Sequence, residues 1–239
     1  MTDFNKRRIL VFDMEVSPYN FDTHYDEDTK KYLTKYAKDE EDGKKIIEQL
    51  VFTPFTSFIV SIGLYDLNES RGAVLFNAEE GTEIKSPHDN INYEVSDEAA
   101  LIKKFWNVLE KKKYNMFVTF NGREFDCPYI MLRSFIHRIR PSYNLMRGTD
   151  FNIRDYHIDL MKELTFNKHA ASGARRKFSL DFYCKQLGIT SPKGGGVTGD
   201  MVGELYNKKE YQRIADYCIG DVLATAELYN IWNDNLNLF

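Results

Sequence analysis

Three separated stretches of this sequence set carboxylates against apolar segments. The first is RILVFDMEV, Arg8 to Val16, in which a strand-like run ends in Asp13 and Glu15. Residues two apart on a strand share a face. A strand extended through Glu15 therefore places the two carboxylates side by side, each raising the cost of ionising the other. A divalent cation removes that cost, and hard oxygen ligands suit Mg²⁺ or Mn²⁺. The competing reading is that the strand ends there with both groups in water. The second stretch, FNGREFDCPYI from Phe120 to Ile130, ends a strand at Asn121-Gly122 and sets Asp126 at the start of a helix. An aspartate in that place also serves as a cap or as a partner of the helix dipole. The third, Tyr217-Cys218-Ile219-Gly220-Asp221, lies inside a late helix, where a spacing of four stacks Tyr217 and Asp221 on one face. Taken alone, that aspartate reads as a surface residue.

The elements that must position these groups alternate along the chain. Arg8 to Asp13 reads as a first strand, followed by FIVSIGLY (Phe58 to Tyr65) and Ala73 to Phe76, the last two joined as a hairpin across Asp66 to Gly72. Ser96 opens a helix with Asp97 and Glu98 in its first turn, apolar Leu101, Ile102, Phe105, Val108 and Leu109 on one face, and Lys111 to Lys113 at its end. Tyr114 to Phe120 returns as a strand, and a helix runs from Asp126 or Pro128 to Arg138. Tyr156 to Leu160 reads as a short strand, Ser179 to Leu187 as a helix stopped by Gly188, and Glu210 to Trp232 as a long final helix. Strands in succession, then strands alternating with helices, describe an α/β sheet, partly antiparallel and covered by helices.

Composition bounds the function without naming it. The chain has 239 residues, 43% hydrophobic and 28% charged, enough for a substantial core without staples. Its three cysteines are widely spaced with no CxxC pair, so neither a zinc knuckle nor a disulfide framework is expected, and a reducing cytoplasm fits. No apolar run reaches the roughly 20 residues needed to span a bilayer. The net charge of −4 excludes a generally basic nucleic-acid coat. That charge sits between Asp22 and Asp42, where eight acids face four lysines, and the remainder balances to zero. We read residues 22–50 as a charged surface insertion, partly helical near Gly43 to Leu50.

In combination, D-x-E on a first strand, N-x₄-D after a later strand and Y-x₃-D on a late helix resemble the DEDD (DnaQ-like) superfamily of 3′-5′ exonucleases, proofreading-type enzymes with a ribonuclease H-like fold. In particular, the chain resembles bacterial exonucleases related to the proofreading domain of family-B DNA polymerases. The likeness covers Val11 to about Tyr229 and includes FTSFIVSIG (Phe55 to Gly63), HIDL (His157 to Leu160), KGGGVTGDMVGEL and IADYCIGDV. None of His24, His88, His137, His157 and His169 has an aspartate five positions later, so the resemblance is to the tyrosine subtype, through Tyr217 and Asp221.

The resemblance implies one α/β exonuclease domain over residues 1–239, with a mixed sheet whose first three strands are antiparallel and the later ones parallel, flanked by helices. It implies that Asp13, Glu15, Asp126 and Asp221 bind two Mg²⁺ or Mn²⁺, directly or through water, and that Tyr217 orients the attacking water. The reaction would hydrolyse the 3′-terminal phosphodiester of single-stranded DNA and release nucleoside 5′-monophosphates. Met14, Val16 and Asn121 would line the pocket for the terminal nucleotide. Family members often carry threonine where this chain has Val16, so one hydroxyl contact to the terminal sugar is lost. Phe125 is a candidate for base stacking, and Arg175 and Arg176, in a Gly/Ser/Ala-rich loop, for phosphate contact; core packing and a solvated basic loop are the alternatives. Lys193-Gly194-Gly195-Gly196 lacks the G-x₄-G-K-[ST] pattern and reads as a flexible loop. The chain ends soon after the third motif, so proofreading would be done in association with a separate polymerase; repair with a partner factor or end trimming fits equally. The rivals are an exoribonuclease trimming RNA, which would need contacts to the 2′-OH, and a catalytically silent nucleic-acid-binding module.

Overall fold

In the computed structural model of the chain, residues 7–149, 152–168, 170–191 and 196–238 are described. The loop reading of Lys193 to Gly195 and the reading of His169 lie outside the described residues. The central element is the strand β1 (Ile9–Pro18), whose alternation of side chains feeds two cores at once. Leu10, Phe12, Met14 and Val16 face one core, and Val11 faces the other. Both faces being covered, β1 is apolar almost throughout and runs on through both carboxylates to Pro18.

Three short helices follow: α1 (Phe21–His24), α2 (Glu27–Leu33) and α3 (Glu40–Gln49), capped by the side chains of Asn20, Asp26 and Asp39. None of them buries a residue. A 3₁₀ turn, Leu50–Phe52, then leads into β2 (Ser57–Asp66) and β3 (Arg71–Asn77). The turn between β2 and β3 is set by Asp66, whose Oδ1 accepts from the backbone N–H groups of Asn68 and Glu69. After β4 (Ile91–Ser96) comes α4 (Glu98–Lys112), then β5 (Met116–Thr119), α5 (Asp126–Ile136), β6 (His157–Asp159), α6 (Leu160–Leu164), α7 (Leu180–Leu187), α8 (Val202–Asn207) and α9 (Tyr211–Asn235).

The sheet order is β4-β3-β2-β1-β5-β6. β2 pairs antiparallel with β1 on one side and β3 on the other, whereas β4 joins β3, β5 joins β1 and β6 joins β5 in parallel. The mixed sheet expected from the sequence is thus present. One core lies between the sheet and α9 with α7 and α8; the other, under α4 and α5, holds Phe12, Phe105, Trp106 and Phe117.

Several boundaries differ from the sequence expectation, and β4 is an added strand. Ser96 ends β4 and does not open α4, whose cap is Asp97 through a bond to the Ala100 N–H. The helix expected near Gly43 to Leu50 is α3, and α1 and α2 precede it. The β5 strand is shorter at both ends than Tyr114 to Phe120, and α9 runs to Asn235, past Trp232. Among the described residues, no helix is long and apolar enough to cross a membrane.

Candidate active site

β1 delivers Asp13 and Glu15 to the face of the sheet on which α9 lies, as their spacing requires. A register shift between Glu15 and Val16 marks a bulge in the β1–β2 pairing just past the second carboxylate, a device that re-aims neighbouring side chains. α9 crosses close above. A Cβ added at Gly63 of β2 would come within 2.7 Å of Val222 and 3.1 Å of Cys218, so only glycine lets the helix approach this closely. That approach brings Tyr217 and Asp221 over the strand. The carboxylates of Asp13, Glu15 and Asp221 offer oxygens that all lie within 4.8 Å of one another.

Asp126 reaches the same place from the first turn of α5, with its Oδ1 accepting from the Met14 backbone N–H at 3.0 Å. One of its oxygens is thereby tied to β1, and it stands outside the tightest group of three. The loop that sets this helix start is firmly held. Asn121 adopts a left-handed conformation (φ 67°), and a Cβ at Gly122 would strike Thr119 at 2.5 Å. Asp159, at the end of β6, accepts from the N–H groups of Asn121 (2.9 Å) and Arg123 (3.0 Å). It also caps α6 through Met161 and Lys162. The Arg123 guanidinium donates to the carbonyl of Leu145 at 2.7 Å and to that of Arg147 at 3.3 Å. His157 is buried between Thr119 and Cys127, and burial pushes its pKa down to about 3, so it is neutral.

The electrostatics are those of like charges forced together. Burial, then the carboxylates of Asp126, Asp221 and Glu15, hold the Asp13 pKa well above the usual carboxylate range. Glu15 is raised in the same direction by burial and by Asp221 and Asp126. Asp126 is pushed up to about 7 by burial, against the opposing hydrogen bonds of its own and the Met14 backbone N–H groups. Tyr217 is hydrogen-bonded to Asp221, and burial together with Glu15 and Asp221 drives its phenol pKa far upward. Among the described residues, none of the ion pairs involves Asp13, Glu15 or Asp126.

These residues fit a divalent cation: the donors are all hard oxygens, and their mutual repulsion is relieved by positive charge. Ser61 agrees with that. It stands directly opposite Glu15 on β2, is 0% exposed, and its Oγ meets no oxygen or nitrogen partner, only the weakly bonding Cys218 thiol. A buried hydroxyl of this kind is costly, and a hydrated cation beside Glu15 offers it an oxygen partner.

The other sequence candidates fall elsewhere. Met14 and Val16, at 4% and 8% exposure, sit in the core under α4 and α5, on the strand face opposite Asp13 and Glu15. Phe125 is half-buried and packs edge-on against Phe52 and tilted against Tyr129. Arg175 and Arg176 are exposed on a loop whose Ala170–Arg176 bridge folds it back on itself, with the Arg176 guanidinium 4.9 Å from the Phe178 ring centroid. Asp159 and Ser61 were not singled out from the sequence. The HID of β6 was the available signal for Asp159, while Ser61 becomes visible only once the register is known.

A family model described as "predicted 3′-5′ exonuclease related to the exonuclease domain of PolB" matches residues 70–233. The chain belongs to this family. Curated relatives agree: the chain is 26% identical over 189 residues to DNA polymerase 1 of Sulfolobus acidocaldarius, covering 75% of this chain and 20% of the polymerase. It is 25% identical over 185 residues to DNA polymerase 1 of Sulfurisphaera ohwakuensis, covering 74% and 20%. The chain therefore spans about a fifth of the length of these relatives. Among solved structures, the family B DNA polymerase from the archaeon Pyrobaculum calidifontis shares the fold, with a TM-score of 0.59 at 15% identity over 95% of this chain and 24% of that one.

Proposed function

We propose that the chain is a 3′-5′ exonuclease that hydrolyses the terminal phosphodiester of single-stranded DNA and releases nucleoside 5′-monophosphates. The observation that carries this reading is the meeting of Asp13, Glu15 and Asp221 oxygens within 4.8 Å, backed by Asp126, in a family of predicted 3′-5′ exonucleases. Asp13, Glu15, Asp126 and Asp221 would hold two Mg²⁺ or Mn²⁺, directly or through water. Such a pair, when bound, stabilises both the attacking and the leaving oxygen of an in-line phosphoryl displacement.

The chain's own residues supply position. β1 and α9 fix the carboxylates from two sides, and Asp126 is anchored through Met14. Burial, with Glu15 and Asp221, raises the pKa of the Tyr217 phenol, and a phenol is already a poor base at neutral pH; its role is to orient a water by hydrogen bonding. The backbone at Met14, Val16 and Asn121 borders the terminal nucleotide, Phe125 faces a base, and Arg175 and Arg176 meet phosphate. We read residues 1–239 as one exonuclease domain with the insertion at 22–50 on its surface, working in the cytoplasm in repair, end trimming or proofreading in trans. The kinship with DNA polymerases favours DNA over RNA.

The test is a degradation assay on matched 5′-labelled single-stranded DNA and RNA in Mg²⁺, Mn²⁺ or EDTA. Metal-dependent laddering from the 3′ end, faster on DNA, is expected. A faster RNA ladder would reassign the substrate, and retained binding without cleavage would favour a silent binding module.

A further inference from the structure

We infer that Phe52, contributed by the segment between β1 and β2, is a base-stacking residue for the single-stranded substrate next to the terminal nucleotide. The inference rests on the exonuclease reading above. It starts from the exposed rings of the molecule. Phe52 is 65% exposed, yet its ring sits edge-on to Phe125 at a centroid distance of 6.2 Å. Phe125 directly precedes Asp126, whose carboxylate meets β1 at the candidate active site. Phe52 thus touches the residue next to Asp126 in the chain, where α5 begins and where the Phe125 ring caps the core under α4 and α5.

The backbone that presents the ring is fixed. Thr56 Oγ1 donates to the Leu50 carbonyl and Ser57 Oγ to the Thr53 carbonyl, each at 2.6 Å. Ser57 Oγ also meets the Tyr129 hydroxyl on α5 at 2.5 Å, and the buried Arg133 of α5 donates to the Pro54 carbonyl at 2.7 Å. The 3₁₀ turn is thus pinned to the helix that carries Asp126, while its phenyl ring stays in water beside a recess lined by Ile46, Gln49, Leu50 and Thr53. A rigidly presented, solvent-facing ring at the edge of a site is the arrangement on which bases of a single strand stack, with little regard to sequence. Continuity with Asp126 through Phe125 argues for a nucleobase over a protein side chain as the occupant.

The test compares two substrates. Hydrolysis of a (dT)12 oligonucleotide engages upstream bases, whereas the p-nitrophenyl ester of thymidine 5′-monophosphate has a single base. Phe52→Ala is expected to raise KM for (dT)12 about tenfold, since one stacked base contributes about that factor, with kcat held and with a much smaller effect on the ester. Phe52→Tyr should restore KM. Phe52→Trp, titrated with (dT)12 in EDTA, should show quenched emission from the new indole; Trp106 and Trp232 are buried and serve as background. Unchanged KM together with an unquenched Phe52→Trp would overturn the inference, as would equal losses on both substrates. If the wild type cleaves neither substrate while Phe52→Trp is quenched, the exonuclease reading fails and the stacking site stands; with no quenching either, both fail.

Discussion

α5 carries two buried charged sites two turns apart, and they solve the same problem in opposite ways. In its last turn, Arg133 (2% exposed) is neutralised within the protein. Its Nε donates to Glu98 Oε1 at 2.8 Å, its second nitrogen meets Glu98 Oε2, and the remaining donors reach the Pro54 carbonyl and the Tyr19 hydroxyl. His137 adds a contact to Glu98 at 2.9 Å, and the Ile59 N–H gives Glu98 a further donor at 2.8 Å. At its first turn, Asp126 joins three more acidic groups; its own oxygens accept from backbone N–H groups, and among the described residues it forms no ion pair. A buried charge without an internal partner is costly. The first site is closed and structural. The second is one that a bound cation would complete.

Mutation should separate the two sites by what is lost, and the largest effect belongs to the open one. Asp13→Ala should lower exonuclease activity to the level seen in EDTA, read as the rate of 3′-end laddering, while the protein stays folded. Arg133→Met should do the reverse. It strands Glu98 in the interior, and breaking such a pair from one side costs about 3–5 kcal/mol, or about 10 °C in Tm for a chain of this size. A Tm unchanged in Arg133→Met would show that the Glu98 knot is not structural.

Smaller effects sharpen the contrast. Asp13, Glu15 and Asp126 bind protons more tightly in the folded chain than in the unfolded one. In the metal-free protein, the stability this confers is fully present below the unfolded carboxylate range and is lost as pH rises toward about 7, where Asp126 is pushed. Tm measured in EDTA should therefore fall between about pH 4 and 7 from this cluster, and saturating Mn²⁺ at pH 7.5 should raise it by several degrees, as binding at about 100 times Kd adds about 2.7 kcal/mol. Asp13→Asn should stabilise the metal-free protein at that pH by about 1 kcal/mol, opposite in sign to Arg133→Met. Tyr217→Phe should slow turnover and leave the Mn²⁺-induced rise in Tm intact; loss of both would make the tyrosine structural.

The candidate site was legible through the family resemblance that its three motifs carry in combination, since each alone reads as a solvated pair, a helix cap or a surface residue. Asp13 and Glu15 follow strand spacing, Tyr217 and Asp221 follow helix spacing, and Asn121-Gly122 announces the turn before Asp126. The apolar faces of α4 and α9 and the glycine stop of α7 were legible from local pattern alone. The closed site was not, since Glu98, Arg133 and Tyr19 come from three distant segments and each reads alone as a surface charge or ring. β4 alternates as INYEVS but pairs in parallel at the sheet edge across a long connection from β3, so no turn signal marked it. The helices α1 and α2 lack a buried face, and only their caps give them away. Met14 illustrates the limit of a motif: its position within D-x-E suggested substrate, while strand alternation places its side chain in the core.

The most direct test of the account is a calorimetric titration of Mn²⁺ into the metal-free protein at pH 7.5, run in parallel on Asp13→Ala. Two ions per chain in the wild type, with at least one lost in the variant, is the predicted result. No binding to the wild type, or identical binding by both proteins, would contradict the claim that this carboxylate cluster is a site built to be completed by metal.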